Sequence, residues 1–591
     1  MTDITNGHTG LGAANADRAF FGHPRGLSVL FFSEMWERFS YYGMRAILVL
    51  FLTSEVMKGG FGWDSADALV LYGWYTGLVY LTPLIGGWIA DNFIGSRNGV
   101  VIGALVMTLG HASLAMESHF FFYLGILLLI VGNGFFKPNI VPIVGQMYPD
   151  GSPLKDGAYT VFYMAVNAGA FFGMLICGWL GETKGWSYGF GAAGIFMFFG
   201  LLQFYFGQKI FGDIGTKPSA EKKDMTPAEK FGEKQVDWTN NDSGFFIGSL
   251  ALAVLTVIAS MNFDRICLAV GLDPSMVWLR AVMMLPFIIL MTYFVIQRLR
   301  KYPPVERDRL GVIAIFAFFV IFFWLSFEQA GGSLTIFARD FTQRVLATPA
   351  SVNAFRYVSL ALTFLPMVIL TWAITQLGIK IGRKYPLTIL FTALSFALIW
   401  LIVIKINVEN FENTSAEVPA SWFGSLNGFF IITLGPLFSA FWVWMSKINK
   451  NPSGPIKFGA GLLLLGLGFV GLVIASSGIP KGATAASVSM LWIVLFYLLQ
   501  TMGELCLSPV GLAFVNKLSP KRLMALMFGV WHLANFVANT LSGIVGSYMD
   551  QVSQNSSMSG FFTIFVGITF SAGILLILLN KPLKRMMHGI N

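Results

Sequence analysis

The chain has 591 residues, 55% of them hydrophobic and only 12% charged, with a net charge of +9. A soluble domain carries about 25% charged residues, so a chain this apolar, with mean hydropathy +0.68, is excluded from water and reads as a polytopic membrane protein. Its basic residues lie mostly in connecting segments, which excludes a nucleic-acid footprint and makes them markers of orientation.

Residues 1–27 form a polar tail expected on the cytoplasmic side. A membrane-spanning helix needs roughly 20 mainly apolar residues. Six such runs follow, near 28–53, 68–92, 97–116, 120–146, 156–180 and 187–211, and define an N-terminal six-helix bundle over 28–211. The stretch 212–308 combines a charged cytoplasmic linker, densest from Lys217 to Asn241, with an inserted helix pair near 245–262 and 277–298. Residues 309–591 are expected to form a C-terminal bundle. Its runs lie near 309–332, 421–445, 455–477, 488–515, 522–548 and 559–580. A second inserted pair, near 355–377 and 385–406, falls within its 345–410 region. That makes about 16 spans, an all-α fold. Transmembrane β-strands would alternate apolar and polar residues over about ten positions, and these runs do not.

With the N-terminus in the cytoplasm, the basic loops fall on one side: Arg97, Lys222 with Lys223, Arg298 with Arg300, Lys380 with Arg383 and Lys384, Lys447 with Lys450, Lys517 with Lys521 and Arg522, and the tail from Lys581 to Arg585. The even count returns the C-terminus to the same side. Arg339 and Arg344 are exceptions on the opposite side. The first run is long and contains Glu34, Glu37 and Arg38, so it reads as a span and not as a cleaved signal. The three cysteines, Cys177, Cys267 and Cys506, have no metal or disulfide spacing, and no metal or cofactor is expected.

The chemistry lies in charges that lipid does not tolerate. In the first span Glu34, Glu37, Arg38, Tyr41, Tyr42 and Arg45 fall within a stripe of roughly 140° at about 100° per residue. Ionisable groups in a bilayer cost several kcal/mol and face a partner or a wet cavity, so this stripe is expected to line an internal chamber. The bland alternative is a salt-bridge cluster that only docks helices. Lys137 sits beside Pro138 in the fourth run, Glu328 follows Trp324, and Glu504 precedes Ser508 and Pro509. Together they make a cavity cationic in the first half of the chain and acidic in the second, which suits a zwitterion. Arg45 and Lys137 would hold a carboxylate. Glu504 or Glu328 would face an ammonium, with Asn167 and Asn427 for an amide. Tyr41, Tyr42, Tyr80, Trp324 and Trp531 offer walls with a polar edge; for Trp531 helix packing is an equal alternative, and His532 reads as a packing residue. Glu34 and Glu37 are the proton candidates, because a carboxylate beside Arg38 would change proton affinity when the pair breaks. No nucleophile–base pair or metal cluster supports an enzyme. Other cargoes on the same scaffold and a passive channel are the remaining alternatives.

Six stretches, in order along the chain, resemble the signatures of the proton-dependent oligopeptide transporter family of the major facilitator superfamily. They are Glu34-x-x-Glu37-Arg38-Phe39-x-Tyr41-Tyr42-Gly43, Tyr80 to Arg97, Lys137-Pro138-Asn139, Phe162 to Gly169, Phe423 to Asn427, and Gly503-Glu504 to Ser508-Pro509. The resemblance implies two six-helix bundles and proton-coupled symport of di- and tripeptides into the cytoplasm across a bacterial inner membrane. It implies coupling through Glu34, Glu37, Arg38, Lys137 and Glu328, with Glu328 pairing with Arg45 when the outer gate closes. It implies peptide contacts from Arg45, Tyr41, Tyr80, Lys137, Asn167, Trp324, Asn427, Glu504 and Ser508, with Asp91, Gly95 and Arg97 as a gate motif. A monomer is the default expectation. The family's usual members lack the pair near 355–406, and Gly428 stands where the family pattern has proline.

Overall fold

The computed structural model describes residues 20–149, 152, 154–217, 239–273, 276 and 278–590. The polar tail up to residue 19 and the linker lysines Lys222 and Lys223 lie outside the described residues. Continuous apolar runs fold as helices because lipid offers no partner for backbone N–H and C=O groups, and only a helix satisfies them within one segment.

The first six long helices are α1 (Gly26–Thr53), α2 (Ser65–Ile89), α3 (Ser96–Leu114), α4 (His119–Gln146), α5 (Leu154–Lys184) and α6 (Trp186–Gly207). They are followed by α7 (Asn240–Met261), α8 (Leu285–Leu299) and α9 (Pro304–Phe327). Next come α10 (Pro349–Ile381), α11 (Pro386–Glu412), α12 (Trp422–Lys447), α13 (Gly454–Ser476) and α14 (Leu491–Leu518). The chain closes with α15 (Met524–Gly546), α16 (Met558–Leu578) and a short tail helix, α17 (Asn580–Met586). Fourteen helices among the described residues are long and apolar enough to cross a bilayer. The two remaining long ones, α1 and α3, occupy expected spans but are more polar. α1 carries Glu34, Glu37, Arg38 and Arg45, and α3 carries Arg97 and His111. Each of the 16 expected runs therefore corresponds to a helix.

The chain divides into two compact units. Unit 1 comprises 1–61, 81–220 and 343–432; unit 2 comprises 62–80, 221–342 and 433–591. In unit 1, α1 is buried along nearly its whole length, its apolar faces included. Gly169 and Gly173 of α5 face the backbone of α1 at Met35 and Phe39 so closely that a methyl group at either would collide with a carbonyl oxygen. Small residues allow such helix contact in membranes, where dispersion and not water expulsion holds helices together.

The second inserted pair departs from the expectation that placed it in the C-terminal bundle. Helices α10 and α11 pack within unit 1, where Phe391 stacks on Phe206 of α6 at 5.7 Å and Phe396 meets Trp36 of α1 edge-on at 5.2 Å. The physical reason is side-chain fit. α11 presents Phe391 to α6 and Phe396 to α1, and sequence adjacency to α9 does not override these contacts. A two-residue antiparallel ribbon, β1 (Val345–Leu346) with β2 (Ala416–Glu417), closes the base of the pair. Inside it, Asn407 donates to Thr363 at 3.0 Å, Asn410 to Ser359 at 3.2 Å and Trp400 to Thr371 at 2.8 Å.

Unit 2 also claims part of a helix expected in the first bundle. The start of α2 packs on α15, where an added methyl on Gly73 would sit 2.7 Å from Cα of Gly543. The first inserted pair belongs to this unit, with Phe287 of α8 edge-on to Phe536 of α15 at 5.6 Å and Trp74 of α2 donating to Ser260 of α7 at 2.9 Å.

Candidate functional site

In unit 1 the charged stripe of α1 forms one compact cluster. Arg38 Nε lies 2.9 Å from Glu34 Oε1, one helical turn earlier, and 2.6 Å from Glu37 Oε2. Asn133 of α4 donates to Glu37 Oε1 at 3.0 Å. Lys137, one turn further along α4, is within electrostatic reach of Glu37. Glu34, Glu37 and Arg38 are 4%, 0% and 5% exposed, so these charges are removed from solvent and depend on one another. Glu34 Oε2 has no hydrogen-bond donor among the described residues. The stripe continues as a ladder of cations over rings: Arg38 lies 5.7 Å from the Tyr41 centroid and Arg45 5.6 Å from that of Tyr42. Tyr41 and Arg45 are both buried.

Sequence reasoning assigned no role to Asn133, although it lies four residues before Lys137 and so on the same helical face. That spacing was the available signal.

Asn167 of α5 returns its amide to Tyr163 O at 2.9 Å. Its own carbonyl oxygen would lie 3.3 Å from a methyl on Gly428, which brings the Asn427–Gly428 step of α12 against α5. Glycine at 428 thus allows a close helix approach. The N-terminus of α12 is fixed to the end of α5. Glu182 accepts from the backbone N–H groups of Ala420 and Ser421 at 2.9 Å each, and Trp422 donates to Leu175 O at 3.0 Å.

The residues of the expected gate motif pack against the turn after α6. Asp91 lies in a widened π-turn, Ala90–Ile94, at the end of α2, and Gly95 follows with φ +81°. An L side chain at 95 would be strained by that backbone angle and would strike Thr216 and Lys217. Arg97 donates from its guanidinium to Ile214 O and Gly212 O and from its backbone to Gly215 O, and sits 5.7 Å from the Phe211 ring. These contacts tie the α2–α3 junction to 212–215.

In unit 2, Glu328 occupies a 3-10 turn, Glu328–Gly331, that continues α9, and it is 3% exposed. Tyr72 of α2 donates to Glu328 Oε2 at 3.5 Å. Next to it Gln329 donates to Ser542 O at 2.9 Å, and Gln500 of α14 donates to Phe327 O at 2.9 Å. These amides fix α9 to α15 and α14 around the carboxylate. Trp324 lies one turn earlier, half-buried, with its ring 4.7 Å from Phe327. Glu504 is buried on α14, and Ser508 Oγ, one turn on, is buried with no hydrogen-bond partner among the described residues. Trp531 packs its ring on Gly511 of α14. Tyr80 and His532 face each other at 6.3 Å, with His532 Nδ1 bonded to Phe528 O at 2.7 Å.

The expected residues thus fall into two sets. Glu34, Glu37, Arg38, Tyr41, Arg45, Lys137, Asn167 and Asn427 belong to unit 1; Tyr80, Trp324, Glu328, Glu504, Ser508 and Trp531 belong to unit 2. No group of three or more His, Cys, Asp or Glu suited to a metal ion occurs among the described residues.

Comparison with known proteins gives consistent matches. The family model described as "POT family" matches residues 97–412 and 388–562. The peptide transporter YePEPT of Yersinia enterocolitica is 30% identical over 575 residues, covering 97% of each chain. A di-/tripeptide transporter of Lactococcus lactis is 28% identical over 579 residues, covering 97% of this chain and 98% of its own. Among solved structures, the peptide transporter POT in complex with sulfate aligns with TM-score 0.70 at 30% identity, over 98% of this chain and 99% of that one.

Proposed function

The chain belongs to the POT family of transporters, and from that premise we propose that it imports di- and tripeptides together with protons across the bacterial inner membrane, with both termini in the cytoplasm and one chain as the working unit. It is a transporter and not an enzyme.

The observation that carries the coupling is the α1 cluster, in which two buried carboxylates share Arg38 and two of their four oxygens, Glu34 Oε2 and Glu37 Oε2, have no hydrogen-bond partner among the described residues, the second meeting Arg38 as an ion pair. A buried polar atom left without a partner costs about 1–3 kcal/mol, so a proton is the natural occupant of that position. Protonation of Glu34 or Glu37 removes half of the pairing with Arg38 and releases the guanidinium to take other partners. Helix packing with two discrete arrangements turns such a local change into movement. Lys137 sits where it can compensate the charge of Glu37, and Asn133 positions that carboxylate. Glu328 is assigned a second coupling role.

For the cargo, Arg45 and Lys137 take the peptide carboxylate, and Glu504, with Ser508 beside it, takes the amino end. Asn167 and Asn427 address the amide, and Tyr41, Tyr80, Trp324 and Trp531 accommodate side chains. Arg97, with Asp91 and Gly95, serves the gate.

The test is uptake of labelled alanyl-alanine into proteoliposomes with and without an inward proton gradient. Accumulation should require the gradient, and amidated alanyl-alanine should compete poorly. Glu37→Gln should lose gradient-driven accumulation by tenfold or more while retaining exchange of peptide for peptide. Uphill uptake at the parent rate in that variant would falsify the coupling role.

A further inference from the structure

Within unit 1, helix α12 begins on a side chain borrowed from another helix. The first N–H groups of a helix have no partner inside it, and a serine just ahead of the first turn commonly supplies one. Here Ser421 gives its hydroxyl to Glu182 Oε1 at 2.5 Å, and Ser425 gives its own to Trp422 O at 2.7 Å. Glu182, near the end of α5, accepts from the N–H groups of both Ala420 and Ser421. A carboxylate also suits the positive end of the α12 dipole. Arg344 lies within electrostatic reach of Glu182. It pairs with Glu417 at 2.9 Å and donates to Val418 O at 2.7 Å, so the segment leading into α12 is held as well.

From that end the contact runs down one face of α5. At Gly178, one turn before Glu182, a methyl group would collide with Ser421 Oγ. Trp422 Nε1 donates to Leu175 O at 3.0 Å. A methyl on Gly428 would lie 3.5 Å from Phe171 Cβ and 3.3 Å from the Asn167 carbonyl oxygen. Residues 167, 171, 175, 178 and 182 are spaced by three and four and so share a face, about 22 Å long at about 1.5 Å per residue. Glu182 fixes one end of this seam. Asn167 stands at the other, against the Asn427–Gly428 step.

We propose that Glu182 is a positioning residue for cargo recognition: by seating the start of α12 on α5 it keeps Asn427 in register with Asn167, the two amides assigned to the peptide bond. The proposal rests on that reading of the cargo. Gly428 offers no side chain to cushion the contact, so a slip or rotation at the start of α12 carries to Asn427 directly. Side chains that contact a ligand hold their geometry only while the groups behind them are fixed. A contact that served stability alone would not distinguish a cargo with an amide from one without.

The test compares proteoliposome uptake of alanyl-alanine with that of 5-aminopentanoate, whose charged ends are the same number of bonds apart with no amide between them. Glu182→Ala should raise the half-saturating concentration of alanyl-alanine about tenfold, the worth of one lost hydrogen bond, and that of 5-aminopentanoate less than about twofold, with maximal rates held. Glu182→Gln keeps one acceptor oxygen and should recover part of the affinity. Trp422→Phe keeps the ring, removes the bond to Leu175 O and should shift alanyl-alanine about threefold the same way; it decides the matter where Glu182→Ala does not fold. Equal shifts for both cargoes in a folded variant, or no shift for alanyl-alanine, overturn the proposal. The parent chain is read in the same assay. Failure of the parent to take up alanyl-alanine refutes the proposed cargo and this role with it, whereas parent uptake with either of those outcomes refutes the role of Glu182 alone.

Discussion

Glu34, Glu37 and Arg38 in α1 and Asp242, Arg298 and Lys301 at the α7–α8 pair are both clusters with buried carboxylates, with ionic contacts of 2.6–3.0 Å. They differ in how completely the acid is satisfied. Asp242 Oδ2 accepts from Thr239 N, Thr239 Oγ1, Arg298 and Lys301, and Oδ1 accepts from Lys301 as well. It is the third residue of a capping box at the start of α7, with two bases for one acid. The α1 cluster has two acids on one arginine and an oxygen without a donor. Similar pair chemistry thus leaves the acid saturated in one place and under-satisfied in the other, and the proposed coupling role belongs to the second. The number of donors per carboxylate decides which. A saturated carboxylate loses several bonds on taking a proton, whereas an under-satisfied one gains a bond.

The contrast can be broken most severely at Arg38. Arg38→Ala leaves two buried carboxylates without their shared cation, a loss on the order of 3–5 kcal/mol. Thermal unfolding in detergent should show the drop, and proteoliposome uptake should vanish. Glu34→Gln supplies a neutral group where the unsatisfied oxygen stood. It should fold with a loss of at most about 1.5–3 kcal/mol for the charge-assisted bond to Arg38 and lose about tenfold in gradient-driven uptake. An unchanged rate in that variant returns the cluster to the purely structural class that Asp242 represents. Asp242→Ala should do the reverse. Removing a capping-box acid and its ion pairs with the buried Arg298 and the half-exposed Lys301 should cost on the order of 3–5 kcal/mol with uptake of the folded variant within twofold of the parent; a tenfold loss of uptake would erase the distinction. The smallest effect concerns a third buried titratable group, outside the spans. His23 Nδ1 bonds Tyr148 Oη at 3.0 Å, and burial holds the imidazole below its ordinary range and the phenol above its own. The unfolded chain then binds a proton at His23 more readily than the folded one, so stability is full above about pH 6.5 and declines as pH falls through that value. His23→Gln should flatten that decline by less than about 1 kcal/mol. Unfolding temperatures measured from pH 7.5 to 5 check it.

The two inserted helix pairs extend the comparison. Both are apolar runs without a signature, yet the first is held by ion pairs of Asp242 and Arg280 and the second by aromatic stacking and hydroxyl–amide bonds. Arg280 of the first reaches Asp67 at 2.9 Å, and Lys184 of α5 reaches Glu409 of the second at 2.9 Å. Those partners lie more than 200 residues away in sequence, and no local pattern announces them.

Much of the fold was legible beforehand. Sixteen apolar runs became helices, because a run of about 20 apolar residues has only one stable form in lipid. The polar stripe of α1 was readable for the same reason, since spacing at three and four residues places Glu34, Glu37 and Arg38 within one side chain's reach. Asn133 shares a helical face with Lys137, which the sequence shows, but its bond to Glu37 depends on a partner on another helix. Gly428 read as a departure and proved to lie against α5, where an added methyl would sit 3.3 Å from the Asn167 carbonyl oxygen.

What the amino-acid order determined by itself is which segments enter the membrane, which residues carry charge into it, and the family those residues define. Tertiary structure alone decided that α10 and α11 join the first unit, that the start of α2 joins the second, and that Glu34 keeps one oxygen unsatisfied. The physical reason is range. Hydropathy and helical periodicity act within about 20 residues, whereas stacking, glycine contacts and hydrogen-bond saturation depend on partners that folding brings from far along the chain.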